Sequence, residues 1–303
     1  MKFALGERTL FRVNFTLAVK VAHFTELAED AYCTWSQWSS VPASVDGVLI
    51  RSQPVSRRLS RLSRFPDSIR YVPAQYQRYY LEFGQSFADY LQKFSSQTRS
   101  KRKKEVRKFA ESAGGSIDIR EYRTPDEVRE FMRHARELSR KTFQERLLDA
   151  GLPASEEFQR HILDQAAKGK VRAYLLFHAG LPASYLLNEI RDPGIVISLY
   201  TGYEPQFRSL SPGTIVYYLA FEKLFAESGL HMLDFTEGEG THKQFFATAS
   251  KQCADIYFFR STFKIRTLLY THSAIDFISR SVVKLLDNVG LKARIKKLIR
   301  ARA

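Results

Sequence analysis

Two stretches of the sequence hold side chains whose types and spacing suit chemistry. In "YTGYEPQFRSLSPGTIVYYLAFEKLFAESG", residues 200–229, an apolar strand pattern runs through a short loop into a helix. Ser211 can cap that helix by accepting from a first-turn amide, Pro212 suits the first helical position, and Gly213 has no side chain to hold a ligand off the backbone. First-turn amides exposed in this way, the positive end of the helix dipole and the nearby Arg208 would together hold a pyrophosphate. The plainer reading is a capped helix with a solvated arginine. In "DFTEGEGTHK", residues 234–243, titratable groups are crowded together. His242, with an ordinary pKa of about 6.5, suits proton transfer at neutral pH or is an exposed helix-start histidine. Glu237 or Glu239 would serve as a base, or as acidic first-turn residues favoured by the helix dipole. Lys243 would neutralise an anion or is a solvated charge. Asp234 suits fixing the loop by accepting backbone bonds. Tyr200 and Tyr203 offer phenols, or pack within their strand.

The elements that must position these residues are legible in the pattern. Three strands, through "VRAYLLFHAGLPASYLLNEI" and "IVISLYTGY", form a meander turning at Ala179-Gly180 and at "RDPG". The loop and helix of residues 200–229 follow, then a short strand in "HMLDFTEG", a short helix from "THKQFFATA" and a last strand in "CADIYFFRS". Upstream, Thr124, Pro125, Asp126 and Glu127 mark a helix start, and Ser155 caps another. A single long helix from "SFADYLQKF" to Ala113 is expected to end at Gly114 and Gly115. Residues 1–95 read as a hairpin through "TLFRVNFTLAV", an aromatic stretch at "YCTWSQWSS" and a strand in "RYVPAQYQRYYLEF".

Composition narrows the classes. The 303 residues are 44% hydrophobic with a formal net charge of +15, so the chain folds and attracts something anionic: nucleic acid, a lipid surface or a phosphorylated substrate. Most of the excess lies in "QTRSKRKKEVRKF" and in the C-terminal "LKARIKKLIRARA". Cys33 and Cys253 stand far apart, and no H-x-x-x-H or C-x-x-C spacing occurs, so neither a disulfide framework nor a metal site is implied. Glu7 and Arg8 interrupt the stretch a secretory leader would need, and no run reaches the roughly 18 uncharged residues of a membrane span. A cytoplasmic location is expected.

The order of elements, with Arg208-x-x-Ser211-x-Gly213 between strand and helix, resembles the core of the GNAT superfamily of acyltransferases. There the loop pattern is Arg/Gln-x-x-Gly-x-Gly/Ala; Arg208 and Gly213 match, and Ser211 stands where glycine is usual. The chain more closely resembles the CelD-like acetyltransferases, associated with cellulose or exopolysaccharide synthesis and related to Fem-type peptidyltransferases. The likeness rests on the basic "SSQTRSKRKKEVRKF", on the "Tyr…Tyr-x-Pro…Ser-Pro-Gly" segment and on an Asp-Phe-Gly-x-Gly-Asp-x-x-Tyr-Lys motif. In that motif Asp234, Phe235, Gly238 and Lys243 match, Glu239 keeps the acid, Thr236 replaces a glycine and His242 replaces the tyrosine. It covers about residues 85–262.

The resemblance implies an α/β fold with a mixed, mostly antiparallel sheet flanked by helices. The transferase domain would span 96–262, with an α/β extension at 1–95, open to reading as a degenerate half of the same fold, and a basic helical tail at 263–303. It implies acyl-CoA, acetyl-CoA among others, as co-substrate without a metal, held at Arg208, Ser211, Gly213 and Thr214. The acyl group would pass to an amine or hydroxyl of an envelope or exopolysaccharide precursor by direct attack on the thioester. His242, Glu237, Glu239, Lys243 and Tyr200 would carry the chemistry, and Tyr203 and Asp234 would contact substrate. Two alternatives stay open: a Fem-like transferase using aminoacyl-tRNA, and a non-catalytic adaptor binding membrane or nucleic acid. In 291–303, Leu291, Ile295, Leu298 and Ile299 fall at helical spacing among cations, which suits either an anionic membrane surface, at the inner face of the membrane, or docking on the protein itself.

Overall fold

The structure, a computed structural model, describes residues 2–5, 8–21, 41–84, 86–141, 151–191, 193–238 and 240–288. Glu239, Cys33, the aromatic stretch near Trp35 and the basic tail 291–303 lie outside them. Two compact units divide the chain: residues 1–77 together with 251–303, and residues 78–250. The expected boundaries at 95 and 262 do not coincide with this division. The reason is a long-range pairing, since a strand from residues 249–260 returns to the N-terminal unit.

In that unit β1 (Lys2–Leu5) pairs antiparallel with β2 (Arg8–Arg12), and β3 (Leu17–Val21) pairs parallel with β4 (Gly47–Pro54). The expected hairpin through "TLFRVNFTLAV" therefore does not form. Asp46 decides the matter: its carboxylate accepts from Thr16 N at 2.7 Å, and its own N–H donates to Thr16 O at 2.8 Å, which lays β3 beside β4. β5 (Leu62–Arg64) pairs with β6 (Ser68–Glu82).

The second unit opens with α1 (Phe87–Leu91) and α2 (Ser96–Ser112). These are two helices instead of the single one expected, because Ser95 caps a fresh start by accepting from Thr98 N. β7 (Asp118–Tyr122) leads to α3 (Pro125–Lys141), where the Glu127 carboxylate accepts from the backbone N–H groups of Arg123 and Thr124 at 2.8 and 2.9 Å. Those bonds hold the Glu127 carboxyl below its usual pKa. Next come α4 (Glu156–Ala167), then β8 (Val171–His178), β9 (Leu181–Arg191) and β10 (Ile195–Tyr203) as an antiparallel meander. The β8–β9 turn is two residues long, Ala179 and Gly180, both at positive φ as such a hairpin demands.

A 3-10 turn (Pro205–Leu210) precedes α5 (Pro212–Phe225), followed by β11 (Met232–Asp234) and α6 (Thr241–Phe246). β11 pairs parallel with β10 and antiparallel with the end of β6, so the sheet of this unit is mixed but mostly antiparallel. Alternation along β8 supplies both of its cores. Tyr174 and Leu176 join α5 on one face, while Ala173, Leu175 and Phe177 join α3 and α4 on the other.

β12 (Ala249–Arg260) and α7 (Phe263–Asn288) complete the chain. From Cys253 onward β12 pairs antiparallel with β4. α7 buries Ile265 and Leu269 against Ile69, Tyr71 and Phe259.

Candidate active site

Residues 195–197 of β10 pair with 232–234 of β11, after which β11 ends and β10 continues for another six residues paired with β9 on its other edge. A cavity of about 250 Å³ lies on the α5 side of this half, which β11 no longer pairs. Thr201, Gly202 and Tyr203 line it from β10, Arg208 and Ser211 from the loop, Pro212, Gly213, Thr214 and Tyr217 from α5, and His242 from α6.

A bulge decides which residues of β10 face this cavity. The register against β9 slips between Ser198 and Tyr200. Ser198 faces α5 through its hydroxyl, 3.2 Å from the Tyr217 hydroxyl, whereas Leu199 and Tyr200 both turn to the α3/α4 core, where the Tyr200 ring meets Phe158 at 5.4 Å. One extra residue flips every side chain after it, so Thr201 and Tyr203 line the cavity and Tyr200 does not. Strict alternation from the sequence puts Tyr200 on the wrong face.

The loop departs from its expected chemistry in an informative way. Ser211 is at φ 55°, ψ 42°, in the left-handed region, and its hydroxyl caps nothing. Glycine takes that conformation without cost. The serine therefore occupies a position whose backbone suits the glycine of the related pattern, and Thr236, the other glycine replacement, is likewise at φ 62°. Thr214 N and Ile215 N both donate to Ser211 O, Ser211 N donates to Arg208 O, and Pro212 has no N–H. Among the described residues no carbonyl accepts from Gly213 N–H, so over 211–215 one amide, not a row of them, is left without a backbone acceptor, on a residue that lines the cavity. A Cβ on Gly213 would come within 3.3 Å of the Tyr203 ring, so glycine there makes room for that ring. Arg208 is exposed and makes no ion pair among the described residues.

Deeper in, the buried Tyr217 ring stacks on His242, with centroids 5.8 Å apart and planes 30° from parallel. Burial pushes the Tyr217 phenol up to about 12, against hydrogen bonds from Ser198 and Thr201 that lower it. Burial, with the Lys243 cation adding to it, pushes His242 down to about 4. The expectation of an ordinary imidazole poised near neutrality is thus corrected: the ring is held neutral at pH 7 and parts readily with any proton it takes. Gly240 is fitted to it, since a Cβ there would lie 3.0 Å from His242 Cε1.

The remaining predicted residues build the loop around the cavity without lining it. Asp234 is fully buried, so it has no surface with which to contact substrate. It accepts from Arg78 Nε at 3.0 Å, pairs again with Arg78 Nη2, and accepts from Thr236 N at 2.8 Å. Lys243 Nζ donates to Glu237 O at 2.6 Å, which ties the ends of the 236–243 loop together, and burial lowers its pKa. The Glu237 side chain is exposed and off the cavity lining, which contains no carboxylate among the described residues. Glu204, buried beside Tyr203, is held by Lys141 Nζ at 2.6 Å and starts the 3-10 turn.

Sequence reasoning missed Tyr217, Ser198, Thr201 and Arg78. Tyr217 had a signal, since it stands one helical turn after Gly213 and so on the same face of α5. Arg78 is one of two arginines in its strand, with Arg70, and nothing marks it out. Among the described residues no group of His, Cys, Asp and Glu could hold a metal ion.

Residues 96–244 match the family model described as an acetyltransferase (GNAT) domain. No curated protein matches the chain. Among solved structures, the chain is similar to L-PGS from Bacillus licheniformis (11% identity, TM-score 0.41, 65% of each chain covered). It is similar to FemX (14% identity, TM-score 0.45, 63% of each chain) and to a GCN5-related N-acetyltransferase from Kribbella flavida (10% identity, TM-score 0.36, 64% of this chain and 61% of that one). The chain spans less than two thirds of the length of each of these three proteins, and likeness at this level says nothing about the reaction. The stretch that lines the cavity, from Thr201 to His242, falls inside the segment that matches an acetyltransferase (GNAT) domain.

Proposed function

We propose that the chain is an acyltransferase that takes its acyl group from acyl-CoA and delivers it to an amine or hydroxyl. The observation that carries this reading is the joining, in one cavity, of an anion-binding mouth and a neutral proton-handling pair. Arg208, Gly213 N–H and the Ser211 and Thr214 hydroxyls suit a phosphate group, so the residues present fit the coenzyme. When bound, the coenzyme supplies an acyl group activated as a thioester. The Tyr217 hydroxyl, kept protonated by burial, is the donor for a leaving thiolate or a developing oxyanion. His242, neutral at pH 7, would take the proton of the attacking amine or hydroxyl as the new bond forms and, its conjugate acid being strong, would pass it on toward the leaving sulfur as the thioester bond breaks, restoring any proton Tyr217 has given up. Lys243 and the Arg78–Asp234 pair hold the loop that presents His242. An envelope or exopolysaccharide precursor as acceptor follows from the CelD-like motifs alone, and a place at the inner face of the membrane from the cations and apolar spacing of 291–303.

The test is a thermal shift with coenzyme A and acetyl-CoA for the wild type and for Arg208→Ala combined with Gly213→Trp. A ligand at a hundredfold excess over its dissociation constant stabilises by about 2.7 kcal/mol, so only the wild type is expected to shift. If a folded wild type does not shift, the acyl-CoA reading is wrong. One observation favours a second reading: with the N–H groups of Ser211, Thr214 and Ile215 engaged and that of Pro212 missing, the mouth suits a single phosphate better than a pyrophosphate wrapped by amides. An aminoacyl ester at an RNA end presents phosphates singly, and the cations of α2 would attract it. Stabilisation by aminoacyl-tRNA, with none by coenzyme A, would select that reading.

A further inference from the structure

α7 divides its surface sharply. On one side Ile265 and Leu269 are buried, the His272 ring nitrogen Nδ1 bonds the Tyr71 hydroxyl, and Asp276 pairs with Arg61 at 2.7 Å. Arg61 also donates to the Tyr71 hydroxyl at 3.1 Å. The spacing 265, 269, 272, 276 is one face of a helix, and it is the face that fixes α7 to its own unit. On the other side Phe263 is 79% exposed, Tyr270 51%, Phe277 71% and Ile278 53%. With the exposed Thr267 and Ala274 between them, residues 263, 267, 270, 274 and 277 make a continuous stripe. Isolated exposed apolar residues are ordinary; three aromatics and an isoleucine aligned on one helix are not.

We infer that this stripe is the face by which the protein lies on an anionic lipid surface. Charge complementarity selects that occupant. The exposed positions of α7 from 263 to 278 include Lys264 and no acid, because Asp276 is turned toward Arg61. From residue 279 to the end the sequence has eight Lys and Arg against the single Asp287. An aromatic stripe continued by a polybasic segment matches a bilayer interface with acidic headgroups: rings enter the headgroup boundary and cations meet the lipid phosphates. A second protein surface would need apolar complementarity but has no need of that charge. α7 lies along such a surface and does not cross it, since among the described residues no helix is long and apolar enough to span. The stripe from 263 to 278 gives roughly 24 Å of contact line.

The experiment is co-sedimentation of the full chain with vesicles of phosphatidylcholine alone and of phosphatidylcholine with 30% phosphatidylglycerol, at low and high salt. The wild type is compared with Phe263→Ser/Tyr270→Ser/Phe277→Ser. All three side chains are exposed, so the variant should fold, and its thermal midpoint is measured alongside. Wild-type binding to the anionic vesicles, weakened by salt, should fall on the order of tenfold or more per aromatic removed, by the transfer free energy of one ring. Failure of the wild type to bind anionic vesicles overturns the inference, and so does binding that the triple variant retains in full. If light scattering instead finds a wild-type dimer that the variant abolishes, without vesicle binding, the stripe is a contact between copies and the inference is again wrong.

Discussion

The depressed His242 pKa makes a quantitative prediction about stability against pH. In the unfolded chain this imidazole titrates at about 6.5, and in the folded chain at about 4. Between these values the unfolded state binds the proton and the folded state does not, so stability is complete above the unfolded value and is lost as pH falls toward the folded one. Linkage over that window puts the loss between pH 7.5 and pH 5 at about 2 kcal/mol from this residue alone. For a unit of this size that corresponds to roughly 4–8 °C in thermal midpoint. His242→Gln keeps a planar, neutral, hydrogen-bonding side chain and cannot titrate. The assay is thermal unfolding of both proteins at the two pH values, which cancels every other titrating group. The midpoint of the wild type should drop further than that of the variant by this amount. An equal drop in both proteins, or a His242 titration near 6.5 in the folded state by NMR, would refute the account of a desolvated ring and with it the idea of a proton readily returned.

Tyr217→Phe keeps the ring stacked on His242 and removes only the hydroxyl, so kcat for acyl transfer should fall about 10²-fold or more while the donor's thermal shift stays. A loss of donor binding with kcat unchanged would reassign Tyr217 to binding. Ser211→Gly should raise stability by about 1 kcal/mol, read by urea denaturation, because it relieves a left-handed residue without breaking a side-chain cap. A destabilised variant would mean that the hydroxyl has a bond it is not seen to make.

Much of the fold could be read from the sequence where local rules suffice. The caps at Ser155 and Thr124, the Ala179-Gly180 turn and the alternation through β8 and β9 all follow from neighbours in the chain. What could not be read depends on partners far away. The parallel pairing of β3 is set by Asp46, and the split of the basic helix by one serine hydroxyl competing with helix propensity. In the site, Arg208, Ser211, Gly213, Thr214, Tyr203 and His242 are brought to one cavity, while Tyr200 is turned away by a bulge that no composition or period encodes. The state of His242 was hidden for a similar reason, since the burial that lowers its pKa accompanies a ring, Tyr217, brought onto it from another helix.

Ser211 and Thr236 stand on either side of the cavity's loops in a conformation that each would abandon if released. Glycine at such points has basins of nearly equal depth on both sides of φ zero, so a loop hinged on it swings freely in either sense. With a serine and a β-branched threonine the two basins are unequal, and the observed one is the higher. At each point surrounding bonds, such as Thr236 N to Asp234, hold the residue in this less favoured basin. Loosening those bonds should send it one way only.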